Sequence, residues 1–182
     1  MLIITLKNYT NMAIISSKRP IWDDVYNGYP TIDTGTVYEN DLPASEVFKS
    51  ILGDSYNRSI YTNACATRVS IALLKAGVTI DEGIKVTHGD LKGKRVILGA
   101  AALKDWLMKK WGKADYWISR PQSLFDLQTN FNDKRGIYIM IPYLPRDFGA
   151  TGHCTLWKGE NTIGGHHYAG SYAYAAYLWE LV

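Results

Sequence analysis

Residues 62–70, TNACATRVS, contain Cys65, one of two cysteines in the 182-residue chain. Apolar residues follow Cys65 at offsets of four, seven, eight and eleven, which is one stripe of helical period. The pattern predicts a helix over 64–76, with Asn63 as its N-cap and Gly77 as its C-terminal stop. Cys65 then lies in the first turn, where unpaired backbone N–H groups and the helix dipole favour a thiolate.

A cysteine nucleophile needs a base, and His153 is the best candidate. It stands near the start of the alternating segment GHCTLW, residues 152–157, which predicts a strand. We expect the helix to pack on the His153 face of that strand, which brings imidazole to thiol. Cys154 points to the opposite face and is interpreted as a core residue with no disulfide to Cys65.

Other patterns predict the elements that must position these two residues. Short apolar stripes and runs predict helices at 19–29 and 100–111 and further strands at 136–143 and 177–182. Residues 31–60 are rich in Thr, Gly, Asp and Ser and are interpreted mostly as loop. Helices followed by a small antiparallel sheet are typical of the α+β class.

Composition limits the class of protein further. A hydrophobic content of 47% with 20% charged residues is typical of a globular chain, and 182 residues fit one domain. The net charge of +3 comes without a block of Lys and Arg, so we expect no nucleic-acid partner. The amino terminus matches neither a Sec signal nor a membrane anchor. Residues 1–15 are expected to be a poorly ordered extension, with Met12 as an alternative start.

The residues alone leave structural alternatives open. A buried cysteine often packs as a small hydrophobe, and a strand histidine is often structural. The histidines and cysteines lack the paired spacing of zinc sites. Arg68 is expected to pair with an acid or to cap a carbonyl, with a substrate carboxylate as second choice. Several aromatic residues are expected in the core or on the sheet, or alternatively along a substrate groove, namely Tyr138, Tyr143, Trp157, Tyr168, Tyr172 and Tyr174.

Two linked motifs resemble one protein family. TNACATRVS is similar to the Asn-x-Cys-Ala-x-Arg-x-Ser segment of the fourth family of type VI secretion amidase effectors, and TGHCTLWKG to that family's Thr-Gly-His-x-x-Leu-Trp-x-Gly segment. The resemblance runs in order from about residue 19 to 181, through RPIWDDVYNGYP, KDWLMKKWGKAD and YLWEL. It implies a single catalytic domain with a papain-like, NlpC-like fold, in which a cysteine helix packs on a small antiparallel sheet.

The resemblance also implies a function. Family members are antibacterial toxins that cut the amide between D-glutamate and meso-diaminopimelate in peptidoglycan stem peptides. They act in the periplasm of a target bacterium after delivery by the type VI apparatus, and an immunity protein protects the producer. Cys65 would be the nucleophile and His153 the base, with no metal or cofactor. A papain-like acyltransferase or deamidase, and an inactive cell-wall-binding module, are the alternatives.

The third catalytic residue is where the chain departs from the family. The family has an Asp about a dozen residues after the histidine, between cysteines that form a disulfide. The corresponding stretch, GENTIGGHHYAG at 159–170, contains neither Asp nor Cys. Something must still hold the His153 imidazole in the right tautomer. We expect His166 to do so, with Asn161 as the alternative.

Overall fold

A computed structural model describes residues 18–32 and 39–182, so the expectation for residues 1–15 lies outside the described residues. The helices are α1 (Trp22–Gly28), α2 (Ala44–Leu52), α3 (Cys65–Lys75), α4 (Ala100–Trp111), α5 (Leu124–Phe131) and α6 (Pro145–Phe148). The strands are β1 (Thr31–Ile32), β2 (Asn40–Asp41), β3 (Ile84–Lys85), β4 (Arg95–Val96), β5 (Tyr116–Ser119), β6 (Lys134–Pro142), β7 (His153–Gly159) and β8 (Ala173–Glu180). None of the described helices is long and apolar enough to cross a membrane.

Four strands form an antiparallel sheet in the order β5-β8-β6-β7. The inner strand β6 is paired on both edges, so that Ile137 lies between Leu156 of β7 and Trp179 of β8. It is also buried on both faces, because Ile137 packs with α3 and α4 while Tyr138 and Met140 pack with α5. This explains why β6 is a continuous apolar run without alternation. The predicted α+β arrangement is confirmed.

Helix α3 ends in a Schellman motif, as its C-terminal glycine predicts. Gly77 has a φ of 82° and donates its N–H to Leu74 O at 3.1 Å, while Val78 donates to Leu73 O at 2.9 Å. These two bonds satisfy carbonyl groups that the helix end would leave unpaired. The end of the cysteine-bearing helix is therefore fixed by local sequence.

The predicted N-cap of α3 is wrong by one residue. Ala64 occupies the cap position, and no side chain there accepts a hydrogen bond from the helix. Asn63 lies one position earlier and lines the cavity that also contains Cys65. The helix therefore starts at Cys65 itself, with its first backbone bond running from Arg68 N–H to Ala64 O at 2.8 Å.

The packing face of β7 also differs from the prediction. Strand alternation is as expected, but α3 packs on the face that carries Cys154 and Leu156, which share a core with α3 and α4. Trp157 points to the other side and packs against Phe131 of α5. Both faces of β7 are buried, since Leu156 and Trp157 are each fully inaccessible, so alternation alone does not decide which face α3 covers. His153 begins the strand and lines the cavity that contains Cys65.

Residues 31–60 contain a helix that sequence analysis interpreted as loop. Helix α2 is strongly amphipathic and packs its apolar face into a second core beneath the short β3–β4 hairpin. The buried members of that core are Val47, Phe48, Ile51, Leu52, Ala64, Ile71, Val86 and Val96. Ala64, the cap residue of α3, and Ile71 in its middle belong to this second core, so α3 packs against both cores.

Candidate active site

Cys65 is the first residue of α3 and is 9% exposed. Since the helical bonds begin with the N–H of Arg68, the N–H groups of Cys65, Ala66 and Thr67 have no partner within the helix. These N–H groups point out of the helix at its N-terminal end, where the helix dipole is positive. A negative charge is therefore stabilised at this position, either on the sulfur or on an oxygen bound beside it.

His153 is the first residue of β7 and is 8% exposed. It lines the same cavity as Cys65 and is close enough to the Cys65 sulfur to lower the pKa of that thiol. Its Nε2 atom is buried and has no hydrogen-bond partner among the described residues. The structure thus brings together the predicted nucleophile and base and leaves one imidazole nitrogen open to a further group.

Gly152 makes the position of His153 possible. Its φ is 143°, and a Cβ placed there would stand 2.4 Å from the carbonyl oxygen of Met140. A residue with a side chain could not adopt this conformation so close to the neighbouring strand without moving the backbone. The glycine therefore lets the chain enter β7 tightly enough to hold the imidazole next to α3.

The surroundings lower the pKa of Cys65 well below its ordinary value. The largest cause is a hydrogen bond with the thiol of Cys154, which outweighs the opposing effect of burial. The hydrogen bond and positive charge of His153 and the backbone N–H of Cys154 add to it. Complete burial, together with the Cys65 contact, raises the pKa of Cys154 well above its ordinary value. Of the two thiols, Cys65 therefore ionises first and Cys154 stays the neutral donor, and the two form no disulfide.

His166 lies in the same cavity as the pair. Its ring centroid is 6.4 Å from that of His153, in an edge-on arrangement. Tyr168 packs beside both histidines, at 4.8 Å from His153 and 5.8 Å from His166. Tyr168 has a φ of 52°, a conformation that costs energy for a tyrosine and is often found at functional sites. Sequence analysis placed Tyr168 in a possible groove but missed its contact with the base.

Asn161 is not brought to this site. It follows the far end of β7, roughly 20 Å along the strand from His153. Its side-chain oxygen accepts a hydrogen bond from the backbone N–H of Thr162 at 2.8 Å. It lines a separate cavity of 800 Å³ together with Glu39 and Lys158. The described lining of that larger cavity contains neither a cysteine nor a histidine.

The cavity of 430 Å³ around Cys65 is closed on one side by a buried polar network. Arg68 donates to Leu42 O from Nε at 2.9 Å and from Nη2 at 2.7 Å, and its guanidinium lies 3.5 Å from Asp41. Asp41 in turn accepts a hydrogen bond from Tyr29 at 2.9 Å. The expected pairing of Arg68 with an acid is confirmed. The network fixes β2 against α3 at the cavity wall.

The sequence profile of one family, amidase effector protein 4 of the type VI secretion system, matches residues 61–179. The effector structure from Enterobacter cloacae is 26% identical, with a TM-score of 0.70, and the alignment covers 92% of this chain and all of that one. Its complex with the immunity protein gives 25% identity, a TM-score of 0.68 and coverage of 91% and 100%. The corresponding complex from Salmonella Typhimurium is 24% identical, with a TM-score of 0.69, and the alignment covers 91% of this chain and 100% of that one.

None of the curated protein sequences matches the chain significantly. The fold and the family profile together define an α+β hydrolase of papain-like, NlpC-like architecture. The chain belongs to the amidase effector protein 4 family of type VI secretion systems. Both the predicted resemblance and the predicted fold class are confirmed.

Proposed function

We propose that the chain is an antibacterial peptidoglycan amidase that cleaves the bond between D-glutamate and meso-diaminopimelate in stem peptides. The observation that carries the proposal is the contact between Cys65, at the start of α3, and His153, at the start of β7. Membership of an amidase effector family supports the type of bond. A thiolate of lowered pKa is the group that attacks an amide carbonyl at neutral pH.

The reaction uses the two residues in turn. The Cys65 thiolate attacks the amide carbonyl carbon, and the N–H groups at the start of α3 stabilise the negative charge on the oxygen. Protonated His153 gives its proton to the nitrogen of the departing amine, and the carbon–nitrogen bond breaks. Neutral His153 then takes a proton from water, which attacks the thioester and releases the acyl group, regenerating the thiolate.

Mass analysis of muropeptides tests this proposal. Purified protein is incubated with sacculi, and the products are resolved by mass. We expect new fragments with a free diaminopimelate amine from the wild-type protein and none from Cys65→Ala or His153→Ala. Because the two residues act as one unit, the double variant is expected to be no worse than either single variant. Substantial hydrolysis by folded Cys65→Ala contradicts the mechanism.

The alternatives give different products in the same experiment. An acyltransferase or protein deamidase with the same residue pair leaves the stem peptides uncut. An inactive module binds sacculi and changes no mass. The lowered pKa of Cys65 favours a reactive thiolate over the inactive module, since a cysteine that only packs in the core has no need of a lowered pKa.

The family also supports a partner and a place of action. The similar effectors from Enterobacter cloacae and Salmonella Typhimurium form complexes with immunity proteins. We infer that this chain has a cognate immunity protein, which covers the Cys65 cavity. Membership of a type VI effector family supports delivery from the producer cytoplasm by that apparatus, and the proposed substrate places the action in the periplasm of a target bacterium.

A further inference from the structure

One end of the central sheet carries a row of aromatic side chains that leads away from His153. The antiparallel order places the ends of β5 and β6 beside the starts of β8 and β7, where Ser119 pairs with Ala175 and Met140 with His153. The residues that follow or begin these strands therefore lie together at one end of the sheet. We call this row the aromatic ledge, consisting of Tyr143, Phe148, Tyr168, Tyr172 and Tyr174.

The ledge is continuous with the cavity of the proposed nucleophile. Phe148 and Tyr168 line that cavity, with their rings 5.2 Å apart at 88°. Tyr172 lies 6.3 Å from Phe148, and its carbonyl accepts the backbone N–H of Tyr143 at 3.0 Å. Tyr174 follows, 5.4 Å from Tyr143. Ring contacts therefore lead from the cavity to Tyr172, and the backbone bond places the second ring pair, Tyr143 and Tyr174, beside the first.

The four tyrosines of the ledge remain exposed although they contact one another. Tyr143, Tyr168, Tyr172 and Tyr174 keep between 43% and 55% of their surface open to solvent. In contrast, Tyr138 and Trp157, which sequence analysis grouped with them, are fully buried in the core. Arg120 stacks on Tyr143 at 5.6 Å and helps to hold it in place. The ledge is thus a preformed surface, and little ordering is needed before it binds a ligand.

Its chemistry suits a chain of sugar rings. The faces of aromatic rings carry partial negative charge and attract the partly positive C–H groups on a pyranose face, while the phenol groups hydrogen-bond to hydroxyl and acetamido groups. The nearby carboxylate, Asp147, is paired with Arg146, so it does not oppose a polar neutral ligand. With strands about 4.8 Å apart, Tyr174 of β8 and His153 of β7 lie two strand spacings or roughly 10 Å apart, room for more than one sugar ring.

We propose that the aromatic ledge binds the glycan strand of peptidoglycan while the attached stem peptide occupies the cavity at Cys65. The proposal rests on the proposed function, because the substrate of that function is a peptide joined to a glycan. The glycan is favoured over a protein partner because continuity from the cavity matches the covalent continuity of the substrate. The ledge makes the protein prefer glycan-linked peptides over free ones.

Two soluble substrates test the preference, a disaccharide–tetrapeptide and the same tetrapeptide without sugar. The measured quantity is the ratio of their kcat/KM values. For a double variant, Tyr143→Ala with Tyr174→Ala, we expect the ratio to fall about tenfold, the size of two lost ring contacts. Tyr143→Phe with Tyr174→Phe keeps the rings and is expected to keep most of the ratio. Trp117→Ala, which removes an aromatic residue 62% exposed in the middle of β5, is the matched control.

An unchanged ratio in the alanine double variant contradicts the proposal. A variant that keeps the wild-type ratio and loses only its affinity for an immunity protein also contradicts the proposal, because the ledge would then be a protein interface. A binding assay separates this proposal from the proposed function. Cys65→Ala protein is co-sedimented with glycan strands stripped of peptide, and the two alanine substitutions are expected to abolish binding. Equal glycan binding by the proteins with and without the two substitutions refutes the glycan-binding proposal, whether or not the wild-type protein cleaves stem peptides.

Discussion

At the scale of single residues, two thiols in contact differ in their tendency to ionise because their surroundings differ. Cys65 lies at a helix start beside His153, and its pKa is lowered. Cys154 is fully buried among apolar side chains, and its pKa is raised. The proton shared by such a pair therefore stays on Cys154, which donates to the Cys65 thiolate. Cys154 acts through Cys65 and is a positioning residue in the proposed mechanism.

Replacing Cys154 tests this arrangement. Cys154→Ala removes the donor, so we expect the pKa of Cys65 to rise and the fraction of thiolate at pH 6 to fall. The rate of alkylation by iodoacetamide, followed against pH, should have its midpoint at higher pH than in the wild-type protein. Cys154→Ser restores an O–H donor and should move the midpoint back. Superimposable curves for the wild type and Cys154→Ala would show that the contact does not tune the nucleophile.

The third catalytic residue remains a prediction, which a pair of variants tests. His166 lies in the Cys65 cavity with its ring 6.4 Å from His153, a separation that a bridging water can span. We expect His166→Ala to lower the hydrolysis rate by roughly a hundredfold, less than Cys65→Ala, and to change the pH profile. Asn161→Ala should have a small effect, since Asn161 lies at the far end of β7. A wild-type rate in His166→Ala with a disabled Asn161→Ala reverses the assignment.

Residue types and spacing predicted the contact between Cys65 and His153 but not the role of Cys154. Strand alternation correctly placed Cys154 opposite His153, yet it could not indicate which face α3 would cover. That choice depends on the apolar surface of the whole sheet, which brings Leu156 and Cys154 inward together. The position of Tyr168 was hidden for a similar reason, since it combines a φ of 52° with ring contacts to Phe148 and both histidines, which lie elsewhere in the fold.

At the scale of elements, the entry into β7 decides where the base lies. Gly152→Ala places a Cβ at 2.4 Å from Met140 O in an unfavourable backbone conformation. We expect a loss of about 2 kcal/mol or more of unfolding free energy and a fall of roughly a hundredfold in kcat, because His153 moves. Denaturant unfolding and hydrolysis rates measure the two effects.

Gly159 at the other end of β7 provides the matched control. It also has a positive φ, 77°, but a Cβ there meets no atom within 4 Å. Gly159→Ala should cost only about 1–2 kcal/mol from backbone strain and leave kcat close to that of the wild type. If both variants lose kcat equally, strain in the strand and not the position of His153 is responsible.

Local signals explain which elements were predictable. α3 and α4 were predicted well because each has an apolar stripe of helical period and ends at a glycine, Gly77 and Gly112. α2 follows Pro43 and carries an amphipathic stripe of its own, but the Thr, Gly and Asp residues around it dominated the composition of the segment. Its apolar face packs against α3 and the β3–β4 hairpin, whose two strands of two residues each are too short for any periodicity to reveal.

At the scale of the whole molecule, antiparallel topology collects distant parts of the chain at one end of the sheet. His153, Tyr143 and Tyr174 begin or follow three different strands and meet there because of the order β8-β6-β7. α3 approaches the same end from one face and contributes Cys65. The proposed binding surfaces for the peptide and for the glycan strand therefore lie side by side.

The proposed substrate makes toxicity depend on compartment. Stem peptides of mature peptidoglycan lie outside the cytoplasmic membrane, so we expect cytoplasmic expression to be tolerated by a bacterial host. Fusion to a Sec signal should cause lysis, measured as a fall in optical density, and co-expression of a periplasmic immunity protein should prevent it. Cys65→Ala fused to the same signal is the control for the burden of export and should not lyse the cells. Equal killing from the cytoplasm would place the target there and favour the deamidase alternative.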